Sequence, residues 1–277
     1  MKNVTGGRSS CHATGIEIGW WFMSRVVVCY KWVLDEAYIR LNADTSLDTS
    51  RAEWKISDYD RNAIEAGIRA AKAFEGIAVG LTFGTAEAKT SLKTALSRGL
   101  EESYWVNAAE AAEADGAATA SALAGALSKI EEVKLVVCAE GASDTSARQT
   151  APRIGALLDI PVITSVCELS IDGNTLKATR KLKDSLETLE VELPCVVAVL
   201  PEINEAPIPG LKAVLVAGKK PVSEYAPADI EASLAPKTRL EGVRGYVMSR
   251  KNIIIKEGSA AEKVAELMGH LRKEGFV

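Results

Sequence analysis

Short runs of branched apolar residues, each too apolar to leave one face in water, constrain this chain more than any other feature. Residues 25–30 carry Val26-Val27-Val28-Cys29, residues 135–138 read Leu135-Val136-Val137-Cys138, and residues 195–200 carry Val196-Val197-Ala198-Val199. A strand without a polar face must be covered on both sides, which is the pattern of a parallel sheet between helices. The intervening segments supply those helices. Asp58 can cap one from 59 to about 74, with Ile64, Ile68 and Ala71 on one face. Thr85 begins another, with Leu92, Ala95 and Leu96 inward and Gly99 at its end, and an alanine-rich third over 117–130 packs through Ala122, Leu123, Ala126 and Leu127. Further strands at 77–83 and 104–106 complete an alternation that predicts a doubly wound, mainly parallel α/β sheet with right-handed crossovers.

After Pro161 the period changes. Residues 169–171, a turn at Asp172-Gly173-Asn174, residues 175–180 and residues 188–193 follow in order. In the last of these Leu189, Val191 and Leu193 alternate with Glu190 and Glu192, so a half-exposed antiparallel excursion is expected before 195–200 returns to the central sheet. From Pro201 onward prolines and glycines predict an irregular region, and 237–277 reads as an arm ending in a helix over 260–271. The expected division is a globular domain over 23–220 and a C-terminal arm over 221–277 that needs something else to lean on. Residues 1–22 lack a strand or helix period and a signal-peptide pattern; they are expected to be a disordered extension, with Met23 as the natural start.

Composition removes several function classes. A net charge of -4 offers no global basic field, so nucleic acid is not an expected partner. No stretch reaches the roughly 18 apolar residues of a membrane-spanning helix, so membrane insertion is not expected. Cys11, Cys29, Cys138, Cys167 and Cys195 are scattered singly, reading as reduced thiols of a soluble, cytoplasmic protein. With no CxxC pair and only His12 and His270, a zinc site or a Ser-His-Asp triad lacks its residues.

Neither GxGxxG nor GxxxxGK[ST] occurs. The informative loop is Ala139-Glu140-Gly141-Ala142-Ser143-Asp144-Thr145-Ser146-Ala147-Arg148-Gln149-Thr150, which joins the strand ending at Cys138 to a helix reaching about Leu158. From spacing alone it is first a strand-to-helix connection with a Ser or Asp cap. The sharper alternative is a phosphate cradle of backbone N–H groups and a helix N-terminus, with Arg148 adding a charged contact. Gly84 either turns the chain or admits a nucleotide to the backbone. Lys212, Lys219 and Lys220 are a solvated cluster or a surface for an acidic partner, and Leu211, among prolines and glycines, is ordinary packing or a docking anchor.

Beyond these patterns the sequence resembles, over 23–277, the beta subunits of electron-transfer flavoproteins, and most of all their Fix-type, carnitine-pathway branch. The matching stretches are Cys29-Tyr30-Lys31 with Asp35-Glu36, Lys55-Ile56-Ser57-Asp58-Tyr59-Asp60 with Asn62-Ala63-Ile64-Glu65-Ala66, and Leu96-Ser97-Arg98-Gly99. The 141–149 loop, Glu187-Thr188-Leu189-Glu190-Val191-Glu192-Leu193-Pro194-Cys195, and Ile208-Pro209-Gly210-Leu211-Lys212-Ala213 continue the series. The resemblance implies a fold of the adenine nucleotide alpha hydrolase-like kind, with AMP or a second FAD at the carboxyl ends of the strands. It implies nucleotide contacts at Cys29, Tyr30 and Lys31, at Ser57 where many members have asparagine, at Phe83 and Gly84, and at Ser143, Asp144, Thr145, Ser146, Ala147, Arg148 and Gln149.

The resemblance also implies that the redox-active FAD is shared with an alpha subunit on which the C-terminal arm lies. Leu211, with Pro209 and Lys212, falls in a recognition loop over 204–220 that meets an acyl-CoA dehydrogenase- or reductase-type, or quinone-linked, redox partner. Asn204-Glu205-Ala206-Pro207 departs from the frequent Asn-Glu-Pro-Arg, and Leu34 replaces a common proline. The implied function is an electron carrier, with flavin bifurcation if FAD replaces AMP, and no catalytic acid, base, nucleophile or metal. Two alternatives stand beside it: an adenine-nucleotide module of the universal-stress-protein type, and a hydrolytic site built from Asp144, Arg148 and Glu140.

Overall fold

This computed structural model describes residues 23–247 and 250–277; the expected N-terminal extension and Cys11 lie outside them. The sheet strands in chain order are β1 (Arg25–Cys29), β2 (Ile77–Gly84), β3 (Glu102–Asn107), β4 (Val133–Ala139), β5 (Val162–Asp172), β6 (Thr175–Lys181), β7 (Leu186–Glu192), β8 (Cys195–Val199) and β9 (Val222–Tyr225). They form one nine-stranded sheet in the order β7-β6-β5-β8-β4-β1-β2-β3-β9. All pairings are parallel except those of β6 with β5 and β7, which make the expected antiparallel excursion. The doubly wound α/β class is therefore observed.

The continuous apolar runs are explained by what covers them. Val26 and Val28 pack with Ala63, Ile64 and Ala70 of α1 (Asp58–Ala73) and with Ala95 and Leu96 of α2 (Lys89–Ser97). Val27 and Cys29 face the other way, against Ala120, Leu123 and Leu127 of α3 (Gly116–Leu127) and Ile154 of α4 (Thr150–Leu158). Each strand thus feeds two cores at once, as alternation on a pleated sheet requires. Gly67 sets the close approach of α1 to β1, because a Cβ there would stand 2.3 Å from Val28 Cγ2. In an interior already close-packed, only the missing side chain admits that distance.

Several boundaries differ from those the sequence suggests. Asp58 is the first residue of α1 rather than its cap; Ser57 holds the cap position and its hydroxyl is turned elsewhere. The first half of β5 pairs parallel with β8 before its second half turns antiparallel to β6, so the period change falls within one strand. The region after Pro201 is more regular than expected. Its glycines flank a helix, α5 (Leu211–Ala217), with Gly210 before and Gly218 after, and β9 pairs with β3 from Val222↔Ser103 to Tyr225↔Val106. The sheet therefore continues past the expected boundary at 220, and the compact unit formed by residues through Arg40 and Thr49–Gly242 closes later. The expected alternation of β7 is not matched by its burial: as an edge strand it leaves Leu186 and Leu189 exposed, and only Val191 is half-buried.

Leu41–Asp48 and Val243–Val277 form a second unit. Within it the Gly245 N–H donates to the Thr45 carbonyl at 2.8 Å, and Lys251 pairs with Glu274. Its helix α6 (Ala260–Lys273) opens on a reciprocal Ser259–Glu262 capping box and carries no buried residue, leaving Val264 and Leu267 in solvent. Among the described residues no helix is long and apolar enough to cross a membrane. Cys29, Cys138 and Cys195 are buried and free, and Cys167 is half-buried. A hydrogen bond with Cys29, reinforced by burial, pushes the Cys138 thiol well above its ordinary range, which disfavours its thiolate.

Candidate nucleotide site

The chain leaves β1 for β2 and β3 on one side, then returns through β4 on the other. At such a reversal the loops diverge and open a crevice outside the carboxyl ends of the strands. Residues predicted from three separate stretches arrive at this one end. Cys29, Tyr30 and Lys31 leave β1, Phe83 and Gly84 end β2, and the 140–149 loop leaves β4. Ser57 joins them because its N–H donates to the Lys31 carbonyl at 3.1 Å.

Ser57 is fully buried, and its hydroxyl works as a tether. Its Oγ accepts the Ser143 N–H at 3.2 Å and lies 3.3 Å from Ser143 Oγ, while Ser143 Oγ accepts the Asp58 N–H at 3.1 Å. The first turn of α1 is therefore capped by the loop that follows β4, and loop and helix hold each other in place. Asp58 itself is occupied outward, by Lys55 at 2.9 Å and Arg61 at 2.8 Å.

Beneath this tether lies Asp60. Its buried Oδ2 accepts the Lys31 N–H at 2.8 Å, and the Lys31 ammonium reaches out to pair with Asp144. Burial pushes the Asp60 carboxyl up to about 8; the Lys31 N–H and ammonium oppose the rise and the Asp144 charge adds to it. At neutral pH Asp60 is thus mainly uncharged. Sequence reading missed Asp60, although a signal existed: it shares the helical stripe of Ala63, Ile64 and Gly67, and a carboxyl on an apolar face is the informative exception. Tyr30 is also buried, 3.2 Å from Ser103 Oγ, and burial pushes its phenol up to about 12.

The backbone of the loop changes hand. Ser146 and Arg148 have φ of 47° and 56°, left-handed values that non-glycine residues seldom adopt, and Gln149 returns to the right-handed region. Such a change of hand turns successive N–H groups toward one side. No side chain caps α4, since the Gln149 Oε1 accepts from Arg153 Nε at 3.1 Å instead. Asp144, Thr145, Ser146, Ala147, Arg148 and Gln149 are exposed. The loop folds back over Gly141, where a Cβ would come within 2.7 Å of the rotatable Ser146 Oγ.

Other predicted residues have structural tasks. Gly84 has its close approach within the protein, where a Cβ would lie 2.6 Å from that of Ala88, and its carbonyl accepts from the Ala108 N–H at 3.2 Å. Glu140 accepts the Ser165 N–H at 2.7 Å, at the irregularity where β5 shifts register against β8. Because Glu140 serves Ser165 and Asp144 serves Lys31, the carboxylates of the hydrolytic alternative address different partners. Among the described residues no three His, Cys, Asp or Glu side chains group as metal ligands.

Pro209, Leu211 and Lys212 stand on a separate surface. Leu211 opens α5 and is 77% exposed, beside Ile208 at 92% and Leu215 at 67%. Of the basic cluster, Lys220 is engaged: it donates to the Leu100 carbonyl at 2.6 Å and pairs with Glu101 at 3.1 Å. The class defined by these features is a doubly wound α/β domain whose switch point carries a loop of mixed backbone hand before a helix without a side-chain cap. The electron transfer flavoprotein domain matches residues 44–230 of the chain, and the protein belongs to that family.

Proposed function

We propose that this chain is the beta-type subunit of a heterodimeric electron-transfer flavoprotein of the Fix-type branch, an electron carrier of the cytoplasm rather than an enzyme with its own acid, base or nucleophile. An adenine nucleotide, AMP or a second FAD, occupies the strand-end crevice, and the redox-active FAD is shared with an alpha-type subunit. The observation that carries this reading is the uncapped start of α4 behind a loop of mixed backbone hand, at the switch point of the sheet. Loop N–H groups would take the phosphate, Arg148 and Lys31 would add positive charge, and Cys29 and Tyr30 would flank the nucleoside side. An uncharged Asp60 spares that phosphate a second negative neighbour beside Asp144. The flavin supplies the redox chemistry when bound; the side chains of this protein hold, orient and shield.

Two apolar surfaces support the partnership. The exposed Val264 and Leu267 of α6 suit an arm that lies on the alpha-type subunit, which a stand-alone nucleotide module would not need. The exposed Leu211 suits docking to a dehydrogenase-type donor, an acyl-CoA-type reductase or a quinone-linked acceptor. Burying one leucine contributes roughly 1.5–3 kcal/mol, so Leu211→Ala is expected to slow transfer between the heterodimer and its partner by about tenfold or more. Nucleotide content should stay as in the parent complex. Stopped-flow flavin absorbance checks this, and unchanged rates in the variant would remove Leu211 from the docking role.

A further inference from the structure

We propose that the Asp144 carboxylate is a built-in stand-in for the nucleotide phosphate, one that must give up Lys31 before a phosphate can take its place. The inference rests on the strand-end nucleotide site proposed above and makes Asp144 an affinity-setting competitor there rather than a plain contact.

A phosphate in this crevice would draw on two kinds of donor, loop N–H groups and a cationic side chain. Asp144 already holds one of each. Its Oδ1 accepts the Thr145 N–H at 2.7 Å, and its Oδ2 pairs with the Lys31 ammonium. Lys31 comes from the turn after β1 and Asp144 from the loop after β4, so the pair joins the two sides of the crevice.

The backbone behind the pair is fixed on both sides. The Lys31 N–H donates to Asp60 Oδ2 at 2.8 Å, and the Lys31 carbonyl accepts the Ser57 N–H at 3.1 Å. Across the crevice the residue before Asp144 is tied down, with the Ser143 N–H on Ser57 Oγ and Ser143 Oγ on the Asp58 N–H. Exchange therefore needs only the two side chains to move. Both are exposed, and an ion pair so open to water contributes about a fivefold preference at most.

The incoming group has a first contact that costs no exchange. Arg148 is exposed and is paired with no carboxylate among the described residues. It can meet the phosphate first, after which Lys31 passes from Asp144 to the phosphate. The exchange weakens every phosphate by the same factor. That factor takes inorganic phosphate out of range and leaves in range a nucleotide, whose nucleoside adds contacts of its own.

The test uses the complete heterodimer, dialysed free of nucleotide, with radiolabelled AMP as ligand and inorganic phosphate as competitor. Asp144→Asn keeps an oxygen for the Thr145 N–H and gives up the charge. It is expected to bind AMP about fivefold more tightly, with the inhibition constant of inorganic phosphate falling by the same factor. Lys31→Gln should weaken AMP binding. Adding Asp144→Asn to Lys31→Gln should then gain less than about twofold, because no pair is left to break. An equal gain in both backgrounds would show that Asp144 repels the ligand from a distance, and would overturn the stand-in. So would an Asp144→Asn complex that binds AMP no better than the parent, while leaving the nucleotide site in place. A parent complex that takes up no AMP would remove the site and the inference with it.

Discussion

Asp60→Asn is expected to make the heterodimer more heat-stable at pH 9 and to lose that advantage by pH 5. Burial raises the folded-state pKa of Asp60 from 3.8 to about 8, so the folded protein holds a proton that the unfolded chain releases. The stabilisation is fully present below about pH 4 and is lost as pH climbs toward 8, because the unfolded state there binds fewer protons. Each unit of that window removes at most ~1.4 kcal/mol. Asparagine keeps an oxygen for the Lys31 N–H and never ionises, so the variant escapes the decline. Melting temperatures of both proteins across this range check the sign. A variant displaced by the same amount at pH 5 and pH 9 would show that Asp60 acts through packing and not through its proton.

Ser57→Val is expected to release the nucleotide without unfolding the sheet. Valine approximates the volume of a buried serine side chain poorly, but the decisive loss is chemical: the Ser143 N–H, now 3.2 Å from Ser57 Oγ, loses its acceptor, and Ser143 Oγ loses its neighbour. Leaving a part-buried donor unpaired costs roughly 1–3 kcal/mol, which corresponds to about 5- to 150-fold weaker retention if the cost falls on the loop. Ser57→Asn supplies a replacement oxygen and is expected to retain the nucleotide. Equilibrium dialysis with radiolabelled AMP measures both variants. A valine variant binding as tightly as the parent would break the proposed tether between α1 and the phosphate loop.

What could be read from the sequence follows the physics of each element. β1, β4 and β8 are legible because their buried runs, Val26–Cys29, Leu135–Cys138 and Cys195–Val199, carry no charged residue to confuse the pattern. β9 was not: Val222-Ser223-Glu224-Tyr225 is short and half polar, and becomes a strand only because β3 offers an edge. α5 was hidden by the glycines at its two ends, which mark boundaries rather than forbid the helix between them. In the candidate site the loop after β4 stood out by composition, whereas its tether to Ser57 and the burial of Asp60 are tertiary facts. Only the docking of α1 against that loop makes a cap for the helix out of a side chain 85 residues away.

The most direct test is to co-purify the chain with its alpha-type subunit, quench the complex in acid and count the released nucleotides. The proposal predicts one FAD from the shared site plus one adenine nucleotide from this chain, AMP in a simple carrier or a second FAD in a bifurcating one. A yellow heterodimer yielding a single FAD and no other adenine nucleotide would contradict the assignment of the strand-end crevice.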